Sequence, residues 1–178
     1  MKKIILAASI VVIAMNACTK AEKTRTERVF DINVNLENDF INIDNTKRQY
    51  NAHSGDYYSG VDSITVYGAG YVKKIDDTLR GYGLDICVSA WVREVAAPSE
   101  GAIAVSLNGK GGETKNWTGV RVKEADFKPN EWIHIVDTFR YQSEFMKDIE
   151  EIKIFSMKQA GKDSYDVDDL RIKYLFHK

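Results

Sequence analysis

The sequence is poor in the residues that interrupt strands, cross-link chains or catalyse reactions. Its 178 residues include 2 Pro, 2 Cys and 3 His. Two cysteines allow at most one disulfide, which excludes a scaffold stapled by disulfides. His53, His134 and His177 lack metal-ligand spacing such as H-E-x-x-H, and no G-x-S-x-G elbow is present. Gly68-Ala69-Gly70 and the glycines at 109–112 open no helical pattern, so they do not form phosphate loops. Basic residues (25) do not exceed acidic ones (26), and a formal charge of −1 argues against nucleic acid as a partner. A sustained 3.6-residue period is also missing, with at most one helical turn suggested at 146–151. What is present is one domain's length of chain, 44% hydrophobic and 11% aromatic. That composition excludes disorder, and a domain of this size buries roughly two-thirds of its unfolded surface without metal or disulfide.

Residues 1–20 read MKKIILAASIVVIAMNACTK. Lys2 and Lys3 precede an apolar run from Ile4 to Met15, which is shorter than the roughly 18–20 residues of a membrane span. This is the pattern of a signal peptide. Met15-Asn16-Ala17-Cys18 resembles a bacterial lipobox, although Met stands where Leu is usual. The resemblance implies cleavage before Cys18 and lipidation of its thiol and amine. The alternative is an ordinary secretory signal with an incidental cysteine. On the lipoprotein reading, residues 1–17 are the signal, 18–28 a lipidated cysteine and polar tether, and 29–178 the folded domain. Losing Lys2 and Lys3 takes two positive charges from −1, leaving −3. Cys87 then has no intramolecular partner and reads as an inert, half-buried thiol. The expected location is the cell envelope, lipid-anchored in the outer membrane of a Gram-negative bacterium.

From Val29 onward the dominant period is two. Phe30, Ile32, Val34 and Leu36 alternate with polar residues, and the pattern returns at Ile64/Val66, 84–92, 103–107, Val120/Val122, Ile133/Ile135, Ile152/Ile154 and 170–174. Gly, Asn, Asp and Ser separate the runs, as at Ser54-Gly55-Asp56, Gly68-Ala69-Gly70 and Pro129-Asn130. Short strands at such intervals predict an all-β antiparallel jelly-roll sandwich in one domain. Two runs also carry information on their second face. Burying Ile86, Val88, Ala90 and Val92 turns Cys87, Ser89, Trp91 and Arg93 the other way, and burying Val120 and Val122 turns out Trp117, Gly119 and Arg121. That second face is either a ligand platform or a surface covered by loops. Trp132 reads as a core-edge residue rather than a contact residue.

Four stretches carry a resemblance to the galactose-binding-like β-sandwich of many carbohydrate-binding modules. Residues 52–59 (AHSGDYYS) resemble its early Ser-Gly turn, and 85–93 (DICVSAWVR) its central strand. Residues 130–139 (NEWIHIVDTF) and 165–172 (YDVDDLRI) resemble its late strands. The resemblance implies a structural Ca²⁺ held by Asp168, Glu37 and backbone groups around His53 and Asp56. A physical consideration runs beside it: Asp168 shares parity with Leu170, Ile172 and Tyr174, which points a carboxylate inward, and burying it requires donors, a cation or a proton. The alternative is an Asp168 hydrogen-bonded to backbone without metal.

The function expected is non-catalytic glycan binding. Pyranose C–H faces stack on aromatic rings while polar groups bond the hydroxyls. The candidate platform is Trp91, Arg93, Trp117 and Arg121, with Tyr58 and Tyr71 at its rim. Exposed aromatics and Arg equally suit a protein interface, so the alternative is an accessory lipoprotein docking on an outer-membrane transporter or adhesion complex. A polysaccharide-active enzyme is the weaker third reading. It needs two carboxylates converging across a cleft, with Asp76-Asp77, Glu150-Glu151 and Asp168-Asp169 as the available pairs.

Overall fold

A computed structural model describes residues 27–33, 47–95, 99–122, 128–158 and 164–178. The strands are β1 (Glu27–Asn33), β2 (Lys47–Gln49), β3 (Tyr57–Val61), β4 (Tyr67–Lys74), β5 (Gly83–Glu94), β6 (Gly101–Asn108), β7 (Thr114–Arg121), β8 (Trp132–Tyr141), β9 (Glu151–Lys158) and β10 (Tyr165–His177), with one short helix, α1 (Ser143–Met146). All pairings are antiparallel. Six strands form one sheet in the order β2-β3-β10-β5-β8, with β1 also pairing β10. Four form the other, in the order β4-β9-β6-β7. The domain is the antiparallel jelly-roll sandwich that the alternation predicts.

The period-two residues make the core. In β5, Leu84, Ile86, Val88, Ala90 and Val92 are all buried, and they face Ile103, Val105, Leu107, Ile152 and Ile154 of the smaller sheet. Each such side chain, once buried, contributes about 1.5–3 kcal/mol against exposure. Tyr165 braces the two sheets. Its hydroxyl shares its one proton between the carbonyls of Met157 (2.9 Å) and Ala102 (3.0 Å) across the sandwich. Gly101 makes room for that ring, because a Cβ there would stand 2.1 Å from Tyr165 Cε1.

Several local expectations are corrected. Ile64 and Val66 are exposed residues of the β3–β4 turn rather than strand residues, and Gly68-Ala69-Gly70 lies inside β4 at a register shift rather than in a turn. Glu27 and Arg28, read as tether, belong to β1 and pair with His177 and Phe176, and residues 18–26 lie outside the described residues. The helical turn lies at 143–146 rather than 146–151.

The largest correction concerns β10. Its register against β5 shifts between Asp168 and Arg171, and Asp169 sits at φ 48°. The extra residue of this bulge reverses the parity of the strand. Leu170, Ile172, Tyr174 and Phe176 point inward after it, whereas Asp168 lies opposite Trp91 on the outer face. A continuous alternation from 168 to 174 assumes a strand without a bulge.

Candidate functional site

The outer face of the six-stranded sheet follows from this register. Arg93 of β5 lies between Trp132 of β8 and Asp166 of β10, and the next row contains His134, Trp91 and Asp168. Across these rows runs a strap, residues 50–56, between β2 and β3. It is fastened at both ends. The Asn51 carbonyl accepts from Arg93 Nη1 (2.8 Å) and Trp132 Nε1 (3.2 Å). The backbone N–H groups of His53 and Ser54 donate to Asp168 Oδ2 at 2.8 and 3.1 Å. Ser54 Oγ donates to Asp169 Oδ1 (2.6 Å), and His53 Nδ1 lies 2.7 Å from Asp169 Oδ2, so that nitrogen carries the proton. The His53 imidazole stacks on Trp91, with ring centroids 3.9 Å apart.

Arg93 is the strut of this assembly. Its Nε and Nη2 donate to Asp166 Oδ2 at 3.0 and 2.8 Å, and its carbon Cζ lies 4.5 Å from the centre of the Trp132 ring and 4.9 Å from that of Tyr58. Tyr58 and Trp132 meet edge to face at 5.9 Å. The Arg93 side chain is 11% exposed. Burial pushes the Asp166 carboxyl upward while its bonds to Arg93 pull it down, and the net direction is up. Asp168 is likewise raised by burial, opposed by the N–H groups of Ser54, Asp169 and His53. Beside the strut opens a pocket of about 710 Å³ lined by Tyr50, Asn51, Tyr58, Arg93, Trp132 and Asp166 among others. Aromatic faces, an amide backbone and a carboxylate oxygen meet there. Asp166 Oδ1 lies on the Gly60 side of the carboxylate, where a Cβ would stand 3.4 Å from it and 3.2 Å from Arg48 Nε.

This geometry separates residues that the sequence reading joined. Trp91 and Arg93 lie on β5, whereas Trp117 and Arg121 lie on β7 at the edge of the other sheet, so the four do not form one platform. Trp117 is exposed (44%), but on the far side of the sandwich. Tyr71, on β4, packs against the core and lines a separate hollow with Tyr67, Lys153 and Phe155. Trp91 carries the strap beneath His53 rather than a pocket wall, and Arg93 is held by internal partners. Tyr58 is a pocket residue, though a wall rather than a rim. Of the proposed calcium ligands, Glu37 lies outside the described residues, as does Cys18. The others do not fit a calcium shell. The backbone at 53–54 turns N–H groups, not carbonyls, toward Asp168, its second oxygen accepts from Asp169 N–H (2.7 Å), and Asp56 is exposed. Among the described residues no group of three or more His, Cys, Asp or Glu side chains is placed to hold a metal.

Trp132, Tyr50, Asn51, Asn130 and Asp166 were missed. The parity used for β5 finds Trp132 as well: burying Ile133 and Ile135 turns Trp132 and His134 outward. Tyr50 and Asn51 carry no such signal, because a strap has no period.

No family model matches the chain, and no curated protein matches it. Solved structures do. The chain is similar to VP2 of infectious bursal disease virus in its subviral particle, at 14% identity and a TM-score of 0.50 over 97% of this chain and 37% of that one. The Gt strain of that virus matches at 14% identity and 0.51, over 97% and 36%. The chain thus spans about a third of the length of those proteins, and the likeness shows the fold alone. A CBM22 xylan-binding domain from Paenibacillus barcinonensis aligns at 16% identity and 0.44, over 84% of this chain and 85% of that one. At that score it adds no weight to any functional reading.

Proposed function

We propose that the chain is a non-catalytic, lipid-anchored cell-envelope protein whose β-sandwich binds a glycan on the outer face of its six-stranded sheet. One observation carries the reading: the pocket beside the strap sets the rings of Trp132 and Tyr58 around an Arg93 neutralised by Asp166, next to the backbone of Asn51. Sugar rings are recognised by aromatic faces together with fixed polar groups. The neighbouring carboxylates serve the scaffold, Asp166 toward Arg93 and Asp168 and Asp169 toward the strap, which favours binding over hydrolysis. The anchor rests on the apolar run at 4–15 and on Met15-Asn16-Ala17-Cys18, and many anchored copies would supply avidity to a weak single site.

The test is a glycan array with the soluble domain, residues 19–178. Binding of at least one polysaccharide class is expected, and an array inert throughout overturns the reading. A second reading has its own observation. Tyr67 (54% exposed) and Trp117 (44%) project from the four-stranded sheet, which suits docking on an envelope protein. A pull-down in which Trp117→Ala releases such a protein, together with an inert array, would favour it.

A further inference from the structure

The pocket beside Trp132 does not end at the strap. A second hollow, of about 390 Å³, shares Gln49, Tyr50, Asn51 and Ala52 with it and continues to Gly55, Asp56 and Tyr57. Both volumes fall within the roughly 300–1,000 Å³ of ligand pockets. At the shared wall stands Tyr50, 81% exposed, with φ 70°, followed by Asn51 with φ 60°. Two successive non-glycine residues in the left-handed region are sterically costly, and a bulky one is an outlier. The two donors on the Asn51 carbonyl hold this backbone in place. The strained turn thus holds a large ring out in water, where its burial returns nothing to the fold.

Charge narrows what could lie across that ring. Arg93 is the cation lining the hollows among the described residues, and its guanidinium is engaged by Asp166 and Asn51. Neither hollow is lined by Arg48, which pairs with Asp62 (3.3 Å) and also acts on Asp166, or by Lys47, whose Nζ lies 3.6 Å from the centre of the Tyr57 ring. Asp166 offsets Arg93, so among the described residues the lining of the two hollows holds no uncompensated cation to receive a carboxylate or sulfate on the ligand.

We propose that Tyr50 is the ledge over which one ligand runs from the first hollow into the second, so that the ligand is an uncharged oligosaccharide of at least two rings. This rests on the glycan-binding reading and specifies its substrate class. Titration calorimetry on the soluble domain tests it, with β-1,4-linked gluco-, xylo- and manno-oligosaccharides of one to six residues and, in parallel, oligogalacturonates. At least one neutral series is expected to bind, with affinity rising tenfold or more from the monosaccharide to the tetrasaccharide and little change between 50 and 500 mM salt. Tyr50→Gly, which accepts the left-handed backbone, is expected to bring the tetrasaccharide-to-monosaccharide ratio toward one while the melting temperature holds. A monosaccharide that binds as well as its tetramer overturns the ledge. So does a chain-length dependence that Tyr50→Gly leaves intact. Tighter, salt-sensitive binding of the galacturonates overturns the uncharged ligand but leaves glycan binding standing. Failure of every oligosaccharide in both series overturns the ligand class, and if the array is inert as well, the glycan reading falls with it.

Discussion

At the scale of single residues, the site shows how one guanidinium can be structural in a place where chemistry is expected of it. Arg93 reads in the sequence as a ligand contact, yet its three hydrogen bonds go to Asp166 and Asn51, with aromatic rings against it. The rings it positions are what remain for a ligand. Tyr174 is the opposite case, a polar atom with nothing to do. It is fully buried in the core, its hydroxyl has no hydrogen-bond partner among the described residues, and burial pushes its ionisation far up. An unmet buried hydroxyl costs about 1–3 kcal/mol. Tyr174→Phe is therefore expected to leave stability unchanged or raise it by up to about 1 kcal/mol, a gain of about 2–4 °C in the melting temperature. A clear loss of stability in urea or heat would show that the hydroxyl has a partner in the folded protein.

At the scale of elements, the bulge in β10 decides the site. By reversing parity between Asp168 and Arg171 it places Asp168 outward, where the carboxylate receives the N–H groups of the strap. Asp168→Ala removes that acceptor. Hydrogen bonds to a charged group contribute about 1.5–3 kcal/mol, so amide exchange at His53 and Ser54 is expected to quicken tenfold or more while the β5 amides stay protected. Unchanged exchange at 53–54 would mean the strap is held without Asp168. The β3–β4 turn carries a different carboxylate. Asp62 accepts from the N–H groups of Thr65 (2.7 Å) and Ile64 (2.8 Å) and from Arg48, and these donors hold its pKa below the ordinary value. A depressed folded pKa gives a contribution that is complete above the ordinary value and lost as pH falls through the folded one. Asp62→Asn is expected to melt a few degrees below the wild type at pH 7, with the gap closing below about pH 3. A gap constant across that range would contradict it. Asp166 and Asp168, both raised, run the other way, since their contribution is present at low pH and declines as pH rises through their folded values.

At the scale of the whole molecule, local pattern carried the fold and much less of the site. Alternation at 84–92 named the core face of β5 correctly, and with it the outward direction of Trp91 and Arg93, because side-chain parity is a property of a strand alone. Sheet membership is not. Nothing within residues 84–93 or 117–122 says that β5 and β7 belong to opposite sheets, so two tryptophans with the same local pattern were joined across the sandwich. Asp168 failed for a related reason, since a bulge is fixed by the partner strand. Trp132 was legible by the parity already in use. Tyr50 was not, because its place depends on the bonds that hold the neighbouring Asn51 carbonyl to Arg93 and Trp132, 42 and 81 positions from Asn51 in sequence. The separation of the two sheets provides the central comparison. The measurement is calorimetric titration of a glycan selected on the array into the soluble domain and into two variants, Trp132→Ala and Trp117→Ala. With recognition on the six-stranded sheet, Trp132→Ala is expected to weaken binding at least tenfold and Trp117→Ala to leave it within a factor of two. Loss of affinity in Trp117→Ala, with Trp132→Ala unaffected, would place recognition on the other face and contradict the site described above.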